Sequence, residues 1–304
     1  MNQLQELIAK IRASGHKPER AMLQLPNGLK HRSFEIAEAI GKALSCKVIV
    51  AGNPCYGACD LPLEEAGMSK ADLIVHVGHK PFYVSVPTKV PVVYYDWPIE
   101  VTLDEKKIFD ALSNIPEKRI GLATSVQYLH TLEKVKSILE SKSKQVFIGG
   151  YVLGCWAEGC AALKGKVDCF LFVGSGRFHP FGFDCKYFLD FERAELSDIS
   201  KEVELFDRRK WARIAKAKDA RSFCILVTSK SGQKELLGKA EEIKAKLEGK
   251  DKKAFILMLD EISDAALLGV PADAFVNTAC PRLQDDEWKK PVINATDLDK
   301  VLED

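Results

Sequence analysis

At 304 residues, the chain is long enough for two or three domains of ~100–150 residues, and with 46% apolar and 29% charged side chains it has the composition to fill their cores. A formal charge of +1 gives no basic footprint for a nucleic-acid backbone. No apolar run approaches the ~18 residues needed to span a bilayer, so the expectation is a soluble, cytoplasmic protein.

The N-terminal stretch "MNQLQELIAKIRAS" places Leu4, Leu7, Ile8 and Ile11 at helical spacing between polar residues. That predicts an amphipathic helix resting on a domain, not a signal peptide. Next come a strand "AMLQL", the turn "PNGLK", a helix from about Arg32 to Leu44 and a strand "KVIVAG". The turn "PCYGACD" leads to a short helix "LPLEEAG" and strands "ADLIVHVG" and "PVVYYDW". The order then recurs: "RIGLAT", a helix through "YLHTLEKVKSILES", "QVFIGGYV", a second cysteine turn, "VDCFLFVGSG" and "KYFLDFE". A third round runs "SFCILVTS", a helix through "KELLGKAEEIKAKLE", "KAFILML", a helix around "SDAALLG", "AFVNTAC" and "PVIN".

Continuous apolar strands alternating with amphipathic helices predict parallel sheets covered on both faces. The fold class expected is α/β: three related small parallel-sheet domains at 1–98, 99–207 and 208–304, arranged around a central site. The second boundary falls in the charged stretch "EVELFDRRKWARIAKAKDARS". Ligands of open α/β sheets bind beyond the carboxyl ends of the strands. There the sequence places "LPNGLK", "VGHKPF", "GGYVLGC", "VGSGRFHPFG" and "TSKSGQ".

Nine cysteines, an odd number, in a compartment expected to be reducing, argue against a disulfide framework. Cys46, Cys169 and Cys224 lie in or beside apolar runs and read as small core hydrophobes, as does Cys185. The remaining thiols fall at the functional edge, one group per repeat: Cys55 and Cys59, Cys155 and Cys160, and Cys280. One thiolate from each repeat would suit a [4Fe–4S] cubane with one iron left open. Two local pairs could instead close a four-ligand zinc site, leaving Cys280 unused.

Other side chains carry two readings each. His179 in "GSGRFHPFG" could orient a substrate or be tied to backbone; Gly174 and Gly176 allow close backbone approach but do not make a dinucleotide fingerprint. His79, at a strand end, is a better site candidate than His76, which alternates with apolar neighbours. Ser229, Ser231, Gly232 and Gln233 precede a helix whose first N–H groups suit a carboxylate, or simply form a capped turn. Pro26, Asn27 and Gly28 raise the same choice.

Taken in order, "YGACD" at 56–60, "VHVGHKPF" at 75–82, "VLGC" at 152–155, "VGSGRFHP" at 173–180, "TSKSGQ" at 228–233 and "ACPRL" at 279–283 resemble the diphthamide synthase family across essentially the whole chain. The resemblance implies a [4Fe–4S] cluster held by Cys59, Cys155 and Cys280, with Cys55 and Cys160 as bystanders and S-adenosylmethionine on the open iron. From the residue readings above, the expected catalytic residues are His179 and Gln233. The expected cofactor-binding residues are Pro26, Asn27, Gly28, His79, Gly174, Gly176, Ser229, Ser231, Gly232 and Gln233. The expected activity is radical transfer of a 3-amino-3-carboxypropyl group to a histidine imidazole carbon of translation elongation factor 2, the first step of diphthamide formation. A homodimer and an external electron donor accompany it. Two alternatives stay open at this point: a quinolinate-synthase-like [4Fe–4S] lyase, and a zinc-stabilised binding module without enzymatic activity.

Overall fold

The computed structural model describes residues 2–84, 88–101, 104–176, 179–230, 232 and 236–303. Helix α1 (Gln3–Ala13) starts at a reciprocal cap. Asn2 Oδ1 accepts the Leu4 N–H at 3.1 Å, and Gln5 Oε1 accepts the Asn2 N–H at 3.3 Å. Leu7 and Ile11 on its inner face are fully buried, each contributing ~1.5–3 kcal/mol by leaving water. They cover a sheet built from β1 (Arg20–Gln24), β2 (Lys47–Val50), β3 (Leu73–Val77) and β4 (Val92–Tyr95), with α2 (Ser33–Leu44) and α3 (Leu63–Met68) between the strands. All pairings are parallel and the order is β2-β1-β3-β4.

The next stretch supplies α4 (Glu105–Leu112), β5 (Arg119–Thr124), α5 (Leu132–Ser141), β6 (Gln145–Tyr151), α6 (Glu158–Ala161), β7 (Cys169–Gly174), β8 (Cys185–Asp190) and β9 (Glu195–Asp198). Their sheet reads β6-β5-β7-β8-β9, parallel except for the antiparallel β8–β9 pair. The third sheet follows α7 (Ser200–Lys218). It contains β10 (Ser222–Thr228), α8 (Leu236–Glu248), β11 (Lys253–Leu259), α9 (Asp264–Leu267), β12 (Ala274–Asn277), β13 (Val292–Asn294) and the final α10 (Leu298–Leu302). Its order is β11-β10-β12-β13, all parallel.

The three sheets thus share one winding, with the second strand at the edge and the first and third at the centre. They also share a buttress. Asp72, just before β3, accepts the backbone N–H groups of Glu19 and Arg20 at 2.8 and 3.1 Å. Asp168 does the same for Arg119, and Asp273 for Arg221 and Ser222. Each aspartate ties the start of a third strand to the start of a first strand. All three carboxyls sit below the usual aspartate range: at Asp168 chiefly through the Arg119 side chain and at Asp273 through the Ser222 hydroxyl, with the backbone N–H groups adding, and at Asp72 because those N–H groups together outweigh burial.

By packing, Met1–Glu100 with Lys230–Gly232 form one compact unit, and Val101–Ser229 with Gln233–Asp304 the other. The charged stretch around residue 207 lies within the single 19-residue helix α7. Ile214 and Ala217 of α7 enter the core of the third sheet, while Val203 rests on the core of the second. Its long polar side chains hide this role from a hydropathy reading. Among the described residues no helix is long and apolar enough to cross a membrane.

Candidate functional site

In the first unit, the loops beyond the carboxyl ends of the strands converge on the turn after β2. Lys30 Nζ donates to the Gly52 and Asn53 carbonyls at 2.8 and 2.9 Å, and Asn53 Nδ2 donates to Glu65 at 2.7 Å. Within the turn, the Asp60 N–H bonds back to the Gly57 carbonyl at 3.1 Å. Cys59 is left half-buried while its neighbour Cys55 is buried. The Cys59 carbonyl accepts the Gly232 N–H at 2.8 Å. A Cβ on Gly232 would lie 2.7 Å from the Cys59 Cα and carbonyl oxygen, so only glycine permits this approach. Beside it, Lys230 Nζ and Asp60 Oδ2 form a largely buried ion pair at 2.8 Å.

Pro26, Asn27 and Gly28 open the turn after β1. Pro26 packs against Gly78, whose φ of +93° and lack of a Cβ let the two loops touch. That brings the Pro26 turn beside His79. His79 is paired with the fully buried His76, Nδ1 to Nε2 at 3.0 Å. Burial holds His79 down at about 4 and pushes His76 well below its ordinary value, His79 adding to the second effect. Both rings are neutral at pH 7.

In the second unit, Cys155 occupies the tip of a tight hairpin. Leu153 and Trp156 exchange backbone hydrogen bonds of 2.7 and 3.3 Å, leaving Gly154 and Cys155 as the two tip residues. Cys160, five positions on, is buried where α6 abuts β6. Two glycines make that contact possible. A Cβ on Gly159 would stand 2.0 Å from the Gly149 carbonyl oxygen, and one on Gly149 would stand 2.9 Å from Cys160 Sγ. Gly174, at the end of β7, has φ +150° and would crowd Tyr128 if it bore a Cβ; Tyr128 Oη in turn meets Ser175 Oγ at 2.7 Å. His179 begins the next short turn, its carbonyl accepting the Gly182 N–H at 3.0 Å.

The third sheet presents Ser229 after β10 and Cys280 after β12. Ser229 Oγ is 3.1 Å from Asp260 Oδ1. Two asparagines at the ends of neighbouring strands hold the Cys280 loop. Asn277 Nδ2 donates to the Cys280 carbonyl and to Asn294 Oδ1, both at 2.8 Å, and Asn294 Nδ2 donates to the Pro281 carbonyl at 3.0 Å. Burial raises the Cys280 thiol, while the Arg282 N–H and guanidinium pull the other way.

Exposure and position together sort the nine thiols. Cys55, Cys160, Cys169, Cys185 and Cys224 are buried; Cys46, Cys59, Cys155 and Cys280 are half-buried. Cys46 precedes the first residue of β2, at the opposite edge of its sheet. What remains at the carboxyl edge is one half-buried cysteine per sheet. Burial pushes Cys55 and Cys160 up to about 12, in Cys55 with the charge of Asp60 adding to it. Ser231 and Gln233 lie outside the described residues. Sequence reasoning passed over Gln24, Asp60 and Lys230. Gln24 was the most legible of these, as a polar side chain inside the apolar run "AMLQL".

A profile of the diphthamide synthesis protein family matches residues 25–304. A curated relative named 2-(3-amino-3-carboxypropyl)histidine synthase, from Pyrococcus horikoshii, is 31% identical over 98% of this chain and 89% of its own. A crystal structure of Dph2 from Pyrococcus horikoshii superposes with a TM-score of 0.85 at 30% identity, covering 98% of this chain and 90% of that one. A second crystal structure, of Dph2 from the same organism with a 4Fe-4S cluster, gives 0.84 at 29% identity over the same shares.

Proposed function

The chain belongs to the diphthamide synthesis protein family, and on that premise we propose that it transfers the 3-amino-3-carboxypropyl group of S-adenosylmethionine to a histidine imidazole carbon of translation elongation factor 2. It is a transferase of the 2-(3-amino-3-carboxypropyl)histidine synthase type. In this reading Cys59, Cys155 and Cys280 hold a [4Fe–4S] cluster. One observation carries that assignment: each sheet offers a single half-buried thiol at the carboxyl edge of its strands, while the neighbouring cysteines are buried.

The donor set fits such a group. Three half-buried cysteines can bind iron without opening a core, and three protein ligands leave one iron free. When bound and reduced, the cluster supplies the electron that breaks the bond from sulfur to the methionine γ-carbon. The chain's own residues do the rest. The Lys30, Asn53 and Gly232 contacts fix the Cys59 turn; the Asn277–Asn294 pair fixes the Cys280 loop; the Gly154–Cys155 hairpin presents the third thiol. His79, neutral and beside the Pro26 turn, offers a hydrogen-bonding edge at the end of its strand. An external electron donor and a second copy of the chain belong to the same proposal.

The test is to incubate the anaerobically reconstituted, reduced protein with S-adenosylmethionine and elongation factor 2. The expected result is a mass gain of one aminocarboxypropyl group on a single histidine peptide, absent with Cys59→Ala, Cys155→Ala or Cys280→Ala. An unmodified factor, with intact cluster and good reductant, would count against the proposal.

A further inference from the structure

We infer that Cys55, His76 and His79 form a binding site for one divalent ion of the zinc type, separate from the three accessible thiols and built to pin the loop that carries Cys59. The Cys55 Sγ and one ring nitrogen of each histidine lie within 4.8 Å of one another. Zinc bound by one thiolate and two imidazoles, at ~2.3 and ~2.0–2.1 Å, holds its ligand atoms about 3.3–3.6 Å apart. The His76 Nε2 to His79 Nδ1 distance is 3.0 Å. The rings therefore need to part by a few tenths of an ångström, and the thiol, no more than 4.8 Å from either ligand nitrogen, to close by at most about 1.5 Å, to reach that spacing. One thiolate with two imidazoles is also a donor set suited to zinc, cobalt or nickel rather than magnesium or calcium.

Hydrogen bonding behind the site sets the direction of its lone pairs. The Asp60 backbone carbonyl can only accept, so Gln24 Nε2 donates to it at 2.6 Å, and this turns Gln24 Oε1 toward His76. That oxygen also only accepts, so His76 Nδ1 carries the proton it meets at 2.7 Å. The lone pair of His76 is then on Nε2, facing His79. A ring N–H given to a side-chain or backbone oxygen is the arrangement that orients metal-bound histidines. The same Gln24 amide is bonded to the loop whose next thiol is Cys59. Without an ion, the His79 Nδ1–H fills the His76 lone pair.

Binding is then a balanced exchange. Cys55 loses its thiol proton to solvent, His79 shifts its ring proton from Nδ1 to Nε2, and thiolate and two nitrogens bond to the ion. One proton is released per ion, and a fourth position remains for water. The ion joins the turn containing Cys55, four residues ahead of Cys59, to the end of β3.

Cobalt tests this without reference to catalysis. The Cys59→Ser/Cys155→Ser/Cys280→Ser chain, stripped with chelator and kept anaerobic, is titrated with Co²⁺. The expected result is one ion per chain, a near-ultraviolet thiolate-to-cobalt band, visible bands of four-coordinate cobalt, release of one proton, and displacement by Zn²⁺. Adding Cys55→Ser should abolish the near-ultraviolet band, and adding Gln24→Ala should weaken binding about 10–100-fold. The same titration on the cluster-loaded wild-type chain, with iron counted separately, gives the answer should the triple variant not fold. No stoichiometric uptake by either chain, or uptake indifferent to Cys55→Ser and His79→Ala, would overturn the site and leave a purely hydrogen-bonded network. Because the triple variant lacks the proposed cluster ligands, its result does not depend on the proposed function.

Discussion

The turns after β2 and β6 each carry two cysteines, and the structure treats the pairs in opposite order. After β2 the first thiol, Cys55, is buried and the second, Cys59, is half-buried; after β6 the first, Cys155, is half-buried and the second, Cys160, is buried. Place in the pair therefore does not decide which thiol is available. What decides is local backbone: Cys155 stands at a hairpin tip, whereas Cys160 is on a helix drawn against β6 by two facing glycines. The buried partners also differ from each other. Cys160 sits among apolar side chains such as Val152, Phe172 and Phe188, and Cys55 faces two histidines.

The largest expected effect breaks this comparison directly. Cys155→Ser should strip iron from anaerobically prepared protein, from about four per chain toward none, whereas Cys160→Ser should keep it. Equal loss in the two variants, read by iron and sulfide content, would mean the wrong thiol was assigned. Next in size is the glycine contact. Gly159→Ala must push two backbones apart and should cost on the order of 3 kcal/mol in urea unfolding. Gly238→Ala, where a Cβ meets nothing within 4 Å on helix α8, should be neutral or stabilise by ~0.5–1 kcal/mol. Similar values for both would show that α6 is not held against β6 by that close approach.

A pH series sharpens the contrast between the buried partners. Both histidines sit below their ordinary 6.5 in the folded chain. As pH falls below that value, the unfolded chain takes up protons that the folded one refuses. Stability is thus full above about 6.5 and falls toward pH 4, by up to about 1.4 kcal/mol per pH unit for each histidine. His79→Gln should flatten that slope, with chemical unfolding midpoints at pH 7, 6 and 5 as the readout, while Cys160→Ser leaves it unchanged. A slope insensitive to His79→Gln would remove the pair from the acid response. Loss of the three aspartate buttresses belongs to a lower window, below about 3.8. The smallest effect should come from Cys46→Ala, about 1 kcal/mol or less with iron retained, since that thiol lies at the other edge of its sheet.

Much of this was legible in the residues. The apolar strands and the motif order gave the three parallel sheets, because buried parallel strands must be apolar on both faces. Accessibility within each cysteine pair was not legible, since it depends on a hairpin tip and on glycines ten residues apart, Gly149 and Gly159. Helix α7 escaped because its charged length buries only a narrow seam around Ile214 and Ala217. The aspartate buttress was written in plain view as "ADL", "VDC" and "ADA", yet reads as an ordinary loop residue until the strands are paired. Gln24 and His76 each stand as a single polar residue in an apolar strand; only the sheet places them side by side.

The central claim is that one accessible thiol from each repeat holds a cluster that directs cleavage to the γ-carbon side of the sulfonium. Product analysis tests it most directly: reduced, cluster-loaded protein is mixed anaerobically with S-adenosylmethionine and the nucleoside products are separated. Methylthioadenosine, lost when any of Cys59, Cys155 or Cys280 is replaced, is the predicted result. 5′-Deoxyadenosine as the main product, or methylthioadenosine formed undiminished by a Cys280→Ala variant, would contradict it.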